Sequence, residues 1–239
     1  MTKTRLDQEV VQRKLVPTRS QAESYIKLGQ VKVNKKVVTK PGFLVGEADK
    51  VELLASEQYV SRAALKLASV AKALDLNFKD KTVLDVGSST GGFTDYALQH
   101  GAKKVIAVEV GTDQLHPSLH GNLKIELHEK TDIRGFKTDQ PIDLVVADVS
   151  FVSLREILPS VANLCFAQSR IVAMVKPQFE AHQSSFKHKG VIKNDKMRRD
   201  ILKGFEDWAR KYFTIVDKAD SQVAGSKGNL ERFYLLRKA

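Results

Sequence analysis

Four residues of this chain have the types and the places to do acid–base chemistry: Lys66, Asp148, Lys176 and Glu231. Asp148 comes at the end of the apolar run 142–149, Lys176 follows the run 170–175, and Glu231 opens the run 231–237. Lys66 lies in a helical stretch, 61–74, otherwise made mostly of alanine, leucine and valine. Carboxyl ends of neighbouring parallel strands converge on one crevice, and an antiparallel strand enters at the same edge. Two lysines and two carboxylates therefore gather at one site. A sugar hydroxyl is a poor nucleophile. A lysine made less basic by desolvation and by a second ammonium can take its proton. Lys176 is the expected base. Lys66 tunes charge and holds the hydroxyl, Asp148 orients Lys176 or meets a cofactor's amino group, and Glu231 anchors Lys66 or the sugar.

The element that must position these residues is the stretch 81–93. Thr82 to Val86 reads as a buried parallel strand, and Phe93 opens a helical pattern that stops at Gly101. Between them lies Asp85-x-Gly87-x-x-x-Gly91-Gly92, with Ser88, Ser89 and Thr90 inside the turn. This is neither the Gly-x-Gly-x-x-Gly of dinucleotide enzymes nor a phosphate loop ending Gly-Lys-Ser/Thr. A carboxylate at the ligand end of the strand suits a cationic amino acid better than a pyrophosphate. The pattern resembles motif I of the S-adenosylmethionine-dependent methyltransferases. Glu109 ends the next strand, some twenty residues beyond the loop, where an acid can accept from both ribose hydroxyls of a nucleoside. Asp132 follows the third strand and is placed to reach an adenine amino group. The cofactor set is therefore Asp85, Gly87, Ser88, Ser89, Thr90, Gly91, Gly92, Phe93, Glu109, Asp132 and Asp148.

Residues 1–55 read as a separate small module, 56–60 as a linker and 61–239 as the catalytic domain. The module runs through a helix over 5–15, a break at Pro17, a second helix opened by a Ser20–Glu23 capping box and closed at Gly29, then short strands. Ser61 is the expected cap of the helix that carries Lys66. The order of elements, with Arg5-Leu6-Asp7, Ser20-Gln21-Ala22, Gly29, Val33-Asn34 and Lys40-Pro41-Gly42, resembles the S-four RNA-binding domain. That resemblance implies an RNA-gripping surface, for which Arg5, Arg13, Lys14, Arg19, Lys27, Lys32, Lys35 and Lys36 are the candidates. Arg62, Lys187 and Lys189 are added from the catalytic domain. The stretch 187–203 is the densest basic patch, with seven Lys/Arg against two Asp.

The 239 residues carry a net charge of +11, which favours a polyanionic partner, nucleic acid first. The one cysteine, Cys165, excludes an internal disulfide framework and a cysteine-based zinc site, and the six histidines show no metal-ligand spacing. No metal is expected. The N-terminus does not read as a signal peptide, and no run approaches the roughly 18 apolar residues of a membrane helix. A cytoplasmic protein is expected.

Longer stretches extend the resemblance over essentially the full chain: Tyr59-Val60-Ser61-Arg62, Leu65-Lys66-Leu67, Ala147-Asp148-Val149-Ser150-Phe151, Val175-Lys176-Pro177-Gln178-Phe179-Glu180, Lys189-Gly190-Val191 and Lys227-Gly228-Asn229. They resemble the TlyA family, also labelled hemolysin A-like, within the FtsJ-like ribose methyltransferases. Two departures are Ala63-Ala64, where that family leads one to expect Gly-Gly, and Ser88, where alanine is usual. The first bears on how the helix carrying Lys66 packs. The resemblance implies an α/β class I methyltransferase (Rossmann-like) fold, a seven-stranded sheet with an antiparallel last strand, behind an α+β S-four-like domain. It implies S-adenosylmethionine as cofactor and cytidine 2′-O-methylation of ribosomal RNA, naked or in assembled subunits. Oligomeric state stays open. Two rivals are a membrane-active cytolysin, whose one candidate segment is the helix over 194–213, and an RNA-binding protein with an inactive methyltransferase fold.

Overall fold

The structure is a computed structural model and describes residues 3–55, 58–181, 190–225 and 228–239. The first unit comprises β1 (Thr4–Arg5), α1 (Leu6–Gln12), α2 (Arg19–Lys27), β2 (Val31–Val33), β3 (Lys36–Val37), β4 (Leu44–Val45) and β5 (Val51–Leu53). β1 pairs with β4, and β2 runs between β3 and β5, all antiparallel. Two local details differ from the sequence reading. α1 stops at Gln12 because Lys14 turns left-handed (φ 56°) and the Leu15 amide closes back on the Val10 carbonyl. The cap of α2 is Thr18, not Ser20: the Gln21 amide donates to Thr18 Oγ1 at 3.2 Å, and Oγ1 donates to Gln21 Oε1 at 2.8 Å. Thr18-x-x-Gln21 is itself a capping pattern and comes directly after Pro17, so it starts the helix first.

The second unit opens with α3 (Arg62–Ala71), β6 (Thr82–Val86), α4 (Gly92–Gln99), β7 (Lys104–Val108), β8 (Ile125–His128) and β9 (Ile142–Ala147). It continues with α5 (Leu154–Asn163), β10 (Cys165–Val175), α6 (Pro177–Glu180), α7 (Asp195–Ala209), β11 (Phe213–Asp220) and β12 (Arg232–Lys238). One seven-stranded sheet has the order β11-β12-β10-β9-β6-β7-β8. The strands from β6 to β10 are parallel, and β12 inserts antiparallel between β10 and β11. β11 is an edge strand, half of whose side chains are polar, held by its ladder to β12 around a bulge between Ile215 and Asp217. α5 runs through Pro159 without ending.

Central strands are apolar on both faces because both are covered. One face packs on α3 and α4, and that apolar cluster continues into the first unit through Tyr59, Ile26 and Leu6. The other packs on α5 and α7. The passage between units is fastened on both sides. Gln21 Nε2 donates to the Tyr59 carbonyl at 3.0 Å, the Val60 amide donates to Asp95 Oδ2 at 2.8 Å, and Tyr59 lies on Tyr96 with centroids 5.5 Å apart.

Candidate active site

The loop after β6 works by backbone closeness. Gly87 has φ 79°, and a Cβ there would stand 2.9 Å from the Asp148 carbonyl oxygen, so the ends of β6 and β9 touch only because no side chain intervenes. At Gly92 a Cβ would stand 2.2 Å from Ser61 Oγ and 2.9 Å from Ala63 Cβ. The start of α3 therefore lies directly on the loop. Ala63 is accommodated because Gly92 leaves the room. Ser61 occupies the N-cap position of α3 but makes no capping hydrogen bond, contrary to the sequence reading. Its hydroxyl, pressed against Gly92, is buried without a partner.

Two cavities meet at this edge of the sheet. The larger, about 560 Å³, is lined by Glu109, Gly111, Gln114, Asp132, Ile133, Val149, Phe151 and their neighbours. The smaller, about 140 Å³, is lined by Ala63, Asp85, Ser88, Thr90, Phe93 and Lys176. Gly87, Ser89, Asp148 and Ser150 border both. Gly91 and Gly92 line neither and shape the loop.

The carboxylates face different surroundings. Asp85 is fully buried, and Thr94 Oγ1 donates to its Oδ2 at 2.7 Å while Oδ1 has no partner. Burial first, and then the nearby Asp148 and Glu109 charges, push its carboxyl up to about 7, against the Thr94 bond. Ser88 Oγ is also buried and unpartnered. Glu109 accepts from the Ser89 amide at 2.9 Å and the Gly111 amide at 2.8 Å, which ties the loop to the strand beyond it and leaves lone pairs over. Asp132 is half exposed and gripped by Arg134, whose hydrogen bonds hold it below the usual carboxylate range.

Lys176 Nζ stands 2.5 Å from Asp148 Oδ1 and donates to Ser150 Oγ at 2.8 Å. Lys66 Nζ pairs with Glu231 Oε2 at 2.6 Å, both buried. The β10·β12 register sets Val175 opposite Arg232, so Lys176 and Glu231 leave the sheet side by side. Two lysine–carboxylate pairs thus adjoin, one of them on the cavity wall. Sequence reasoning assigned no role to Ser150, Phe151, Phe179 or Glu180, although all fall in its quoted motifs. Phe151 is 92% exposed at the mouth of the larger cavity, with φ 67° and its ring 5.3 Å from that of Phe179. The signal available in the sequence was an aromatic residue directly after the strand-ending Asp148-Val149-Ser150.

The basic candidates are not equivalent. Asp7, fully buried, accepts from Arg5 Nε and Nη2 at 3.0 Å and from Arg19 Nε at 2.7 Å, fixing both guanidinium groups half exposed. Arg13 is engaged internally by Glu9 at 2.7 Å and the Asp49 carbonyl at 2.8 Å. Lys14, Lys27, Lys35 and Lys36 are exposed, and Lys32 and Arg62 are half-buried. Lys187 and Lys189 lie outside the described residues. α7, the helix that a cytolysin would need, turns Leu202, Phe205 and Ala209 into the core. Among the described residues no helix is long and apolar enough to cross a membrane.

A parallel sheet closed by an inserted antiparallel strand, with an acidic glycine loop and two lysine–carboxylate pairs at its carboxyl edge, defines a methyltransferase. Residues 59–238 match the FtsJ-like methyltransferase family, and residues 4–51 match the S4 domain. The chain belongs to the FtsJ-like methyltransferase family. It is 42% identical over 193 residues to the 23S rRNA (cytidine-2′-O)-methyltransferase TlyA of Campylobacter jejuni, covering 80% of this chain and 75% of that protein. It is 33% identical to the 16S/23S rRNA (cytidine-2′-O)-methyltransferase TlyA of Mycobacterium tuberculosis, covering 98% and 90%. A solved structure from Streptococcus thermophilus, described as a hemolysin, superposes with a TM-score of 0.72 at 33% identity, over 100% of this chain and 90% of that one.

Proposed function

We propose that this enzyme transfers a methyl group from S-adenosylmethionine to a ribose 2′-hydroxyl of ribosomal RNA, at a cytidine. The observation that carries the chemistry is Lys176 on the cavity wall, 2.5 Å from Asp148 and 2.8 Å from Ser150. The ribosomal target and the cytidine are supported by what the relatives are called.

The residues fit the cofactor. Asp85 Oδ1 and Ser88 Oγ, buried and unpartnered, offer an acceptor and a hydroxyl to an amino-acid head group. Ser61 Oγ and the uncapped first turn of α3 offer donors to its carboxylate. Glu109 has acceptor capacity left for ribose hydroxyls, and Asp132 stands in the same cavity for the adenine end. When bound, S-adenosylmethionine supplies a methyl group already activated on a sulfonium.

The chain's own residues then position and deprotonate. Lys176 takes the proton of the 2′-hydroxyl, and Asp148 balances the ammonium that forms. Ser150 keeps Nζ directed into the cavity. Lys66, held by Glu231, supplies a fixed positive charge beside the reacting oxygen. Phe151 stacks on the base of the target nucleotide, which must leave its helix to reach the cavity. Arg5 and Arg19, set by Asp7, grip phosphates with the exposed lysines of the first unit.

The test is methyl transfer from labelled S-adenosylmethionine to purified ribosomal subunits and to naked ribosomal RNA, with mapping of the product. A ribose methyl on cytidine is expected. Transfer to a base or to protein would replace the acceptor, and absence of cofactor binding would end the methyltransferase reading.

A further inference from the structure

Glu180 is 2% exposed and borders neither cavity. Its carboxylate sits at the start of α5. Oε1 accepts from the Leu154 amide at 2.8 Å, and Oε2 accepts from Ser153 Oγ at 2.7 Å. Ser153 Oγ in turn accepts from the Arg155 amide at 3.1 Å, and Arg155 Nε stands 3.4 Å from Oε2. A helix N-terminus favours an anion, but burial is the stronger influence and holds this carboxyl above its usual range.

The position matters more than the charge. Two short segments build the reacting edge. Residues 148–153 carry Asp148, Ser150 and Phe151, and residues 176–180 carry Lys176 and Phe179. At the cavity end they meet through Lys176 with Asp148 and Ser150, and through the rings of Phe151 and Phe179. At the far end they meet through Glu180. The single turn of α6, in which the Phe179 amide donates to the Lys176 carbonyl at 2.9 Å, makes the link between Lys176 and Glu180 stiff. Phe151 itself holds a left-handed backbone, which a side chain adopts only where its surroundings impose it.

We propose that Glu180 is a positioning residue: it fastens the Lys176 segment to the segment of Asp148, Ser150 and Phe151, and so fixes the reach of Lys176 to the substrate hydroxyl. This rests on Lys176 being the base, as read above. The competing role is a helix cap that matters for stability alone.

The experiment compares Glu180→Ala and Glu180→Gln with the wild-type chain in kcat, KM for ribosomal subunits, Kd for S-adenosylmethionine and Tm. In Glu180→Ala, kcat should fall roughly 100-fold while KM and Kd stay within about threefold, since a small misplacement of a reacting group acts on the chemical step. In Glu180→Gln the amide oxygen still accepts from Leu154, and kcat should return to within roughly tenfold of wild type. A folded Glu180→Ala with kcat unchanged would overturn the proposal. So would kcat, KM, Kd and Tm deteriorating together with no recovery in Glu180→Gln. If Glu180→Ala does not fold, Ser153→Ala removes one of the two bonds and should lower kcat about tenfold at constant KM. Hydrogen exchange gives a readout without turnover: amides of 148–154 should exchange faster in Glu180→Ala while those of β6 and β7 do not change. Unchanged exchange at 148–154 would overturn the coupling. A wild-type chain that methylates no RNA would instead overturn the function proposed above, and exchange would still decide the coupling.

Discussion

Lys176 has two acceptors within hydrogen-bond reach, whereas Asp85 keeps one buried oxygen with none. That contrast gives each residue its own test. Lys176→Ala removes the proton acceptor but neither Asp85 nor Ser88, the groups of the same smaller cavity that face the amino-acid end of the cofactor. Transfer should drop at least 10²-fold, with cofactor affinity within a few-fold by calorimetry. Asp85 has an unfolded value near 3.8 and a folded one of about 7, so it binds more protons folded than unfolded. Its contribution is harmless below pH about 4, becomes destabilising as pH rises towards about 7, and stays so above, by roughly 4 kcal/mol. Asp85→Asn removes that penalty, because an amide can still accept from Thr94. The free protein should gain Tm at pH 8 and little at pH 4. The same variant should bind S-adenosylmethionine at least roughly tenfold more weakly, having lost the charge that meets an ammonium. Calorimetry in buffers of different ionisation enthalpy should show proton release on cofactor binding near pH 7 in the wild type and none in the variant.

At the scale of elements, what sets the site is how closely α3 lies on the glycine loop. Gly92→Ala would force Ser61 and Ala63 apart from α4, since its Cβ would fall 2.2 Å from Ser61 Oγ. Overpacking of this kind costs about 1–3 kcal/mol, and it should lower cofactor affinity together with the melting midpoint. The cap of α2 allows a cleaner comparison. Thr18→Ala should cost about 1 kcal/mol in urea unfolding, while Ser20→Ala, already inside the helix, should cost under about 0.5 kcal/mol. Equal losses would return the cap to Ser20.

The whole molecule joins a basic S4 unit to a methyltransferase unit through a passage hydrogen-bonded on both sides. With a net charge of +11, the RNA binding proposed above would be a matter of phosphate neutralisation. Binding should weaken linearly in log–log salt titrations. Replacing Lys35 and Lys36 by alanine should reduce the slope by about 1 per lysine, whereas Arg13→Ala should change it little and lower stability instead. The strand–loop–helix around Asp85, the order of α and β runs, and the arrival of Asp148, Lys176 and Glu231 at strand ends were all readable from the chain. Apolar period, glycine spacing and β-branched runs are local properties that a sequence prints directly. The two-residue strands β1 and β4 were not, because two residues carry no period. Nor was the difference between Arg13, engaged by a carbonyl 36 residues away, and its exposed neighbours. The sequence by itself determined a methyltransferase sheet with its charged groups at one edge. The pairing of Lys176 with Asp148 and of Lys66 with Glu231 was already one of two options in the sequence, and only the tertiary structure decided that both pairs form, that Ser61 leaves its helix uncapped, and that Glu180 joins the two segments of the reacting edge. Those choices depend on strand register and on close backbone packing between distant segments, and neither leaves a mark on local residue pattern.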